Sequence, residues 1–329
     1  MIIDCHGQFT TAPPALGKWR GRQIKAYEAS RFRILPGELI IDDDEIVTAI
    51  EGGQLKRQRD RGTDLTLLSP DAGKAAQHYG DARTSLHWSQ VSNDLIARAS
   101  GLFPGRFAGV CQLPQSPGEA LASSIGACVT ELRRCVEELG FVGCLLNPDP
   151  SDGYWQAPPL TDPVYHPLFE ALVELDVPAM VHVATSRNPA VPGGCAHYLN
   201  GATAVFMQLC QSRLFEDFPS LRLILPYGGG AVPYHWGRYR GVMLDQGRPP
   251  LEEALLGNVF FDTRVVGKRG LELLTDVIPA ENILLASDTA DTKAILDSLD
   301  TLTGAGRAAI YGENALRVFP RLRKLEAAL

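Results

Sequence analysis

Two histidines occur at the ends of short apolar runs that lie far apart in the sequence. His6 ends the run MIIDCH, and His182 lies within the run PAMVHVAT. A carboxylate, Asp288, ends a later run, ILLASD. Two imidazoles and one carboxylate are a ligand set for zinc or a similar divalent ion, and the same groups can also exchange protons directly. A single histidine at a strand end more often bonds a backbone carbonyl, so the prediction depends on the three groups meeting.

Other polar residues at the ends of such runs are candidates for binding a substrate. They are Gln8, Asn147, Arg187, Asp262 and Arg264. A guanidinium group can bind a carboxylate through two parallel hydrogen bonds, although solvation at the surface is an equally ordinary role for an arginine. These side chains predict a small-molecule substrate that is anionic or enolic.

Tyr227 stands near the end of the sixth apolar run, directly before three consecutive glycines at 228–230. A phenol can donate a hydrogen bond to an enolate or phenolate oxygen. The backbone amides of the glycines could bind an anion before a helix start. A tight turn is the more ordinary explanation for such a run, and we prefer it.

Eight short apolar runs must position these groups. Each run is nearly continuous, as expected of a parallel strand that is buried on both faces. Amphipathic helical stretches separate the runs, and eight strand–helix units favour a closed barrel over an open sheet. The runs are 1–6, 63–70, 107–115, 141–149, 178–185, 221–229, 258–264 and 283–288. We therefore predict an α/β chain folded as a (β/α)8 TIM barrel, in which the carboxyl ends of the strands converge on one site.

Helix starts are marked at three places. A capping-box pattern at Asp42 predicts a helix over 43–60. Asp162 followed by Pro163 predicts a second start, because proline is favoured at the first helical position. Residues 230–233 are expected to open a third helix, after the sixth strand.

The spacing between the strands is uneven. Two long connections, 9–41 and 150–162, are rich in turn-forming residues and are predicted to be rim loops. The first is long enough to act as a lid over a catalytic face. No internal repeat and no linker divides the chain, so we predict a single domain over residues 1–329.

Composition excludes several classes of function. The formal net charge is -7, and lysine and arginine form no stripe, so nucleic acid is not an expected partner. No apolar run approaches the roughly 20 residues that a membrane span needs. The seven cysteines include no CxxC pair, and no secretory signal is recognisable. These features predict a protein of the reducing cytoplasm that does not insert into a membrane.

Several longer motifs resemble one family. The start MIIDCHGQFTTAP, the segments LPQSPG, LNPDPS, PPLTDP, AHYLN and FFDT, and above all GGGAVPYHWGR and YGENALRVFPRL resemble the amidohydrolase superfamily. Within it, they are most similar to the bacterial 4-oxalomesaconate hydratases. The resemblance covers nearly the whole chain. It implies a (β/α)8 barrel with one zinc, held by His-x-His on strand one, a histidine on strand five and a carboxylate after strand eight. It also implies that the chain could assemble as a homo-oligomer.

The resemblance transfers to individual residues with three departures. Gln8 stands where the second histidine belongs, Asp288 stands where the hydratases carry glutamate, and Tyr227 replaces a histidine. A neutral amide oxygen is a poorer ligand than imidazole, and aspartate is one methylene shorter than glutamate. The positions that match are His6, His182 and the active-site tyrosine, Tyr198.

These departures predict an altered metal site. We expect no cofactor and no tightly bound metal; a zinc or another divalent ion, if present, would be held by His6, His182 and Asp288. The preferred interpretation is a lyase or isomerase that performs tautomerisation, decarboxylation, elimination, addition or cyclisation by acid–base chemistry. His6, His182, Tyr198, Tyr227 and Asp288 would be its catalytic residues. Two alternatives stay open: a metal-dependent hydratase or decarboxylase, and a catalytically silent barrel that binds a ligand.

Overall fold

Eight parallel strands form one continuous sheet in the order of the sequence. The computed structural model describes residues 1–30, 39–117, 121–191, 195–264, 267–287, 299 and 304–323. The strands are β1 (Ile3–Gln8), β2 (Leu65–Ser69), β3 (Phe107–Gln112), β4 (Gly143–Leu146), β5 (Ala179–Val181), β6 (Leu223–Leu225), β7 (Val259–Asp262) and β8 (Ile283–Leu284). Each lies inside or overlaps one of the eight apolar runs, because only such runs can be buried on both faces.

The sheet closes on itself between its first and last strands. The Cys5 amide in β1 donates a hydrogen bond of 2.8 Å to the Leu285 carbonyl, just after β8. Beside it, the Asp4 carboxylate accepts a hydrogen bond of 3.1 Å from the Ser287 amide. With helices between the strands, this architecture is the (β/α)8 TIM barrel, as predicted.

The helices differ from the predictions in their bounds. They are α1 (Pro14–Ser30), α2 (Asp43–Gly52), α3 (Gln54–Arg61), α4 (Ala82–Leu102), α5 (Leu121–Arg133), α6 (His166–Glu174), α7 (Cys195–Cys210), α8 (Leu214–Asp217), α9 (Trp236–Asp245), α10 (Leu251–Leu255), α11 (Lys268–Val277), α12 (Gly304–Ala308) and α13 (Asn314–Val318).

Three expectations about helices need correction. The connection 9–41, expected to be a loop, contains the 17-residue helix α1. The helix expected over 43–60 is two helices divided at Gly53, where a Cβ atom would lie 2.7 Å from the Ala49 carbonyl oxygen. The helix expected from residues 230–233 begins only at Trp236. By contrast, Asp162 caps the turn before α6 by accepting a hydrogen bond of 2.9 Å from the Val164 amide, as its sequence context indicated.

Apolar side chains form two layers around the strands. One layer fills the barrel interior and includes Ile3, Val110, Met180, Ile224 and Phe260, all buried. The other lies between the strands and the surrounding helices. Because both layers are packed, the barrel is a solid scaffold, and the groups at its carboxyl-terminal rim are held in place from below. None of the helices in the described ranges is long and apolar enough to cross a membrane.

Candidate active site

His6 and Gln8 project to the same side of β1. Side chains alternate along a strand, so residues two apart share a face. Gly7 between them presses against β2: a Cβ atom there would lie 2.3 Å from Thr66 Cγ2 and 2.8 Å from the Leu67 carbonyl oxygen. The glycine permits this close approach, and both His6 and Gln8 are buried at the carboxyl end of the strand.

His182 meets His6 across the top of the barrel. Its ring centroid lies 5.1 Å from that of His6, and the two ring planes are nearly perpendicular. Since its Nδ1 lies 2.6 Å from the Val183 carbonyl oxygen, Nδ1 must carry the hydrogen and Nε2 the lone pair. Burial lowers the pKa of the His182 imidazole well below its usual range, and the nearby His6 and Arg264 lower it further, against a smaller rise from the Val183 hydrogen bond. His182 is therefore a neutral imidazole at pH 7.

Asp262, at the end of β7, organises the opposite side of the site. Its Oδ2 lies 2.8 Å from His6 Nδ1, and the pair is shielded from solvent. Its Oδ1 accepts hydrogen bonds from the Gly228 amide at 3.2 Å and the Arg264 amide at 3.1 Å. The carboxylate thus assigns the hydrogen of His6 to Nδ1 and leaves the Nε2 lone pair directed into the site.

The Gln8 amide lies between the two rings. Its Nε2 is 3.2 Å from His6 Nε2 and 3.0 Å from His182 Nε2. Its Oε1 accepts a hydrogen bond of 3.1 Å from the Ala72 backbone amide, after β2. This contact assigns the oxygen and nitrogen of the side chain, so the –NH2 group faces both lone pairs.

A tyrosine and an arginine complete the cluster. The Tyr227 hydroxyl lies 3.1 Å from His182 Nε2 and also accepts a hydrogen bond from Arg264. The Arg264 guanidinium lies 4.4 Å from the centroid of the Tyr227 ring, within the range of a cation–π contact. The Tyr198 ring stacks parallel to that of Tyr227 at 5.7 Å and lies 5.6 Å from His182.

Tyr227 reaches this position through an unusual backbone. Its φ is 59°, in the left-handed region that a bulky residue rarely adopts, and the three following glycines also have positive φ. The Gly228 amide bond to Asp262 holds the turn in place. The glycines therefore form a tight turn, the explanation preferred from the sequence. Such strain persists only where surrounding contacts hold it, and it is frequent at functional sites.

The structure brings together seven of the ten residues singled out from the sequence. They are His6, Gln8, His182, Tyr198, Tyr227, Asp262 and Arg264. Asp288 lies outside the described residues. Asn147 is buried and its amide bonds Gln77 and the Asp149 backbone. Arg187 lies at the rim, half exposed, where it contacts Tyr79 and lies 3.7 Å from Glu28.

Besides the two amides that bond Asp262, two further backbone groups contribute to the site. The Ala72 amide orients Gln8, and the Val183 carbonyl fixes the tautomer of His182. Neither group leaves a signal in the sequence, because every residue except proline carries the same donor and acceptor. Only the fold places these two at the required positions.

The described residues do not fit a divalent metal. A cation shared by the two rings would need both Nε2 lone pairs, which the Gln8 –NH2 group already occupies as a donor. The Asp262 carboxylate faces His6 Nδ1 instead of the centre of the site. Within the described ranges, no group of three His, Cys, Asp or Glu side chains is arranged to hold a metal ion.

Comparison with known proteins places the chain among related sequences. Residues 3–321 match the family model described as Amidohydrolase. The chain is 49% identical to the 2-keto-4-carboxy-3-hexenedioate hydratase of Sphingobium sp. strain NBRC 103272 / SYK-6, over 99% of this chain and 98% of that protein.

Solved structures resemble the barrel over its whole length. The 4-oxalomesaconate hydratase from Rhodopseudomonas palustris superposes with a TM-score of 0.89 at 43% identity, covering 100% of this chain and 98% of that one. A dihydroxybenzoic acid decarboxylase from Polaromonas sp. JS666, with bound manganese and the inhibitor 2-nitroresorcinol, gives a TM-score of 0.70 at 23% identity, over 97% and 96%. The second likeness concerns the fold alone.

Proposed function

Because the chain belongs to the amidohydrolase family, we propose that it is a lyase or isomerase that moves protons at carbon atoms next to a carbonyl group. Its similarity in sequence and structure to hydratases identifies it as a lyase-type enzyme of this superfamily. The substrate that we propose is a small molecule bearing a carboxylate or an enol. A fold of this kind hosts many reactions, so the proposal depends on the chemistry of the site.

One observation carries the proposal: a neutral, buried imidazole nitrogen lies within hydrogen-bond distance of a phenol that is itself held by a guanidinium. His182 Nε2 supplies the lone pair, the Tyr227 hydroxyl lies 3.1 Å away, and Arg264 donates to that hydroxyl. A neutral imidazole can accept a proton, a phenol can donate one, and a guanidinium stabilises negative charge between them.

For the addition of water to a double bond conjugated with a carbonyl, the residues take defined roles. His182 Nε2 exchanges its hydrogen bonds from Gln8 and Tyr227 for one from water, and accepts a proton from that water as the water oxygen bonds to carbon. The electron pair of the double bond moves toward the carbonyl oxygen, whose negative charge is stabilised by Arg264 and by hydrogen bonds from Tyr227 and Tyr198. Return of the proton from His182 to the neighbouring carbon completes the addition, and elimination follows the same steps in reverse.

We propose that this chemistry proceeds without a tightly bound metal. A divalent ion would supply Lewis-acid polarisation of the carbonyl. In this site, the fixed donors of Tyr227, Tyr198 and Arg264 can take over that electrostatic role. The second candidate is a hydratase that depends on a divalent metal; the 49% identity to a hydratase favours hydration as the reaction.

Turnover assays with and without chelator decide between the two. Purified protein is incubated with 4-oxalomesaconate, and with 2,6-dihydroxybenzoate as a decarboxylation substrate, while ultraviolet absorbance is followed. We expect turnover of a substrate of this class that survives dialysis against EDTA, and loss of about 10²- to 10⁴-fold in His182→Gln. His166→Gln, a partly exposed histidine packed on Phe218, is the matched control. Activity that disappears with EDTA and returns with Zn²⁺ or Mn²⁺ would establish the metal-dependent candidate. Equal rates in His182→Gln and the control would contradict the role of His182.

A further inference from the structure

The contacts of Gln8 carry an inference about how the two imidazoles are held. Gln8 is 6% exposed, and its side-chain amide is the one group within hydrogen-bond distance of both ring Nε2 atoms in the described part of the chain. An amide nitrogen has two hydrogens and no lone pair to offer. It can therefore donate one N–H to each ring; at His182 Nε2 it shares the lone pair with the Tyr227 hydroxyl, 3.1 Å away.

Each ring is constrained from its far side as well. His6 Nδ1 faces the Asp262 carboxylate at 2.8 Å, and His182 Nδ1 faces the Val183 carbonyl at 2.6 Å. Both partners are acceptors, so both Nδ1 atoms are donors and both Nε2 atoms are acceptors. The donor and the acceptor of each hydrogen bond are then determined along this series of four side chains, which runs from Asp262 through His6 and Gln8 to His182.

A cation and the amide cannot share this position. Zinc binds imidazole nitrogen at about 2.0–2.1 Å along the lone-pair direction. In this structure, the same two lone pairs point at the Gln8 nitrogen, whose partial positive hydrogens make it complementary to them. The anchor on the Ala72 amide holds the Gln8 oxygen away from the rings.

We propose that the Gln8 –NH2 group takes the place of a shared metal cation and acts as a positioning residue for His6 and His182. It keeps both rings in the tautomer with hydrogen on Nδ1, with their lone pairs converging. The catalytic purpose of this arrangement rests on the proposed function, whereas the tautomers and the competition with metal do not.

Two substitutions separate this role from a merely structural one. Gln8→His replaces the donor by an imidazole that can bind a metal, and Gln8→Glu replaces it by a carboxylate of the same shape. Both remove the competing –NH2 group and add a ligand. Because the loss of groups that only support metal ligands already changes metal affinity by 10- to 100-fold, a gain of at least tenfold in Zn²⁺ affinity is expected for each.

The experiment uses the full chain and Zn²⁺ alone. Zinc affinity is measured by calorimetric titration of wild type, Gln8→His and Gln8→Glu, with Gln211→His as a control that adds an imidazole on the exposed surface. The histidine tautomers of wild type are measured by long-range ¹H–¹⁵N NMR correlation. We expect the two site histidines to be protonated at Nδ1 alone, and the tenfold gain in at least one Gln8 variant but not in the control.

Any of three results would overturn the proposal. The first is a wild-type protein that retains one equivalent of zinc through dialysis, and the second is a wild-type protein whose site histidines carry hydrogen on Nε2. The third is a Gln8→His and Gln8→Glu pair, both folded by circular dichroism, that binds zinc no better than the control. None of these measurements uses a substrate, so failure here is distinguishable from failure of the proposed activity.

Discussion

Asp262→Asn is the substitution whose effect follows most directly from the hydrogen bonds of the site. The amide oxygen can still accept from the Gly228 and Arg264 backbone amides, which leaves the –NH2 group facing His6 Nδ1. A donor now faces a donor. His6 relieves the conflict by moving its hydrogen to Nε2, where it faces the –NH2 group of Gln8. Because the same –NH2 group also contacts His182, the change in the His6 tautomer affects the hydrogen bonding of His182 as well.

The magnitude can be estimated from the bond that is lost. A hydrogen bond to a charged group contributes about 1.5–3 kcal/mol. Since about 1.4 kcal/mol corresponds to a factor of ten, the active tautomer of His6 should become about 10- to 150-fold less populated relative to the alternative. We expect kcat/KM to fall by a similar factor, while the backbone of the Tyr227 turn stays in place.

Steady-state kinetics and ¹⁵N chemical shifts of His6 measure the two effects. The matched control is Asp149→Asn, another buried aspartate, which accepts hydrogen bonds from the Ser151, Gly153 and Trp155 amides. It should lose stability without changing the tautomer of His6. If Asp262→Asn keeps the hydrogen of His6 on Nδ1 and loses no more activity than Asp149→Asn, the reasoning about the hydrogen-bond chain is refuted.

Three further predictions concern single residues. Arg264→Gln removes the cation beside Tyr227 and should lower kcat/KM by about 10- to 100-fold, with a smaller loss in Arg264→Lys; equal losses in both variants would argue against a charge effect. Burial alone would raise the pKa of Glu131, but hydrogen bonds from Arg134 and Asn93 outweigh burial and lower that pKa. Ionised Glu131 therefore stabilises the fold at pH values above its pKa in the unfolded chain, and this stabilisation is lost as the pH falls through the pKa of the folded state. Glu131→Gln should therefore destabilise by about 1–3 kcal/mol at pH 7 in urea titrations, and the difference should shrink below about pH 4.3; a constant difference would contradict the assignment. Ile224→Ala in the barrel interior should cost about 2–5 kcal/mol of unfolding free energy with unchanged KM, and a cost under 1 kcal/mol would mean that the interior is loosely packed.

The barrel was predictable because the same pattern, an apolar run followed by a helical stretch, is repeated eight times. Eight continuous apolar runs separated by helical stretches leave few architectures open, and the closed barrel brings residues as distant as His6 and His182 to one rim. Local signals were less decisive. The turn-forming residues of 9–41 indicated a loop, yet α1 begins within this range at Pro14, where the missing N–H of proline has no cost. The break at Gly53 depends on Thr11 and Ala49, and contact with Thr11 cannot be inferred from the helix sequence alone.

That several of these polar residues would lie together at the rim was predictable, but several of their partners were not. Asp262 and Gln8 were expected to bind substrate, and the structure directs both toward the histidines. Arg187 was expected as an anion anchor, and it contacts Tyr79 at the rim. Which way a side chain turns depends on neighbours from other strands, and on backbone groups such as the Ala72 amide. The spacing of residues along the sequence does not indicate those contacts.

A crystal structure of the active protein at high resolution, with anomalous data collected at the zinc and manganese absorption edges, tests the central claim most directly. We expect the Gln8 amide nitrogen at about 3 Å from His6 Nε2 and His182 Nε2, with no anomalous peak between the rings. An anomalous peak about 2.1 Å from both nitrogens, with Gln8 turned away, would contradict it.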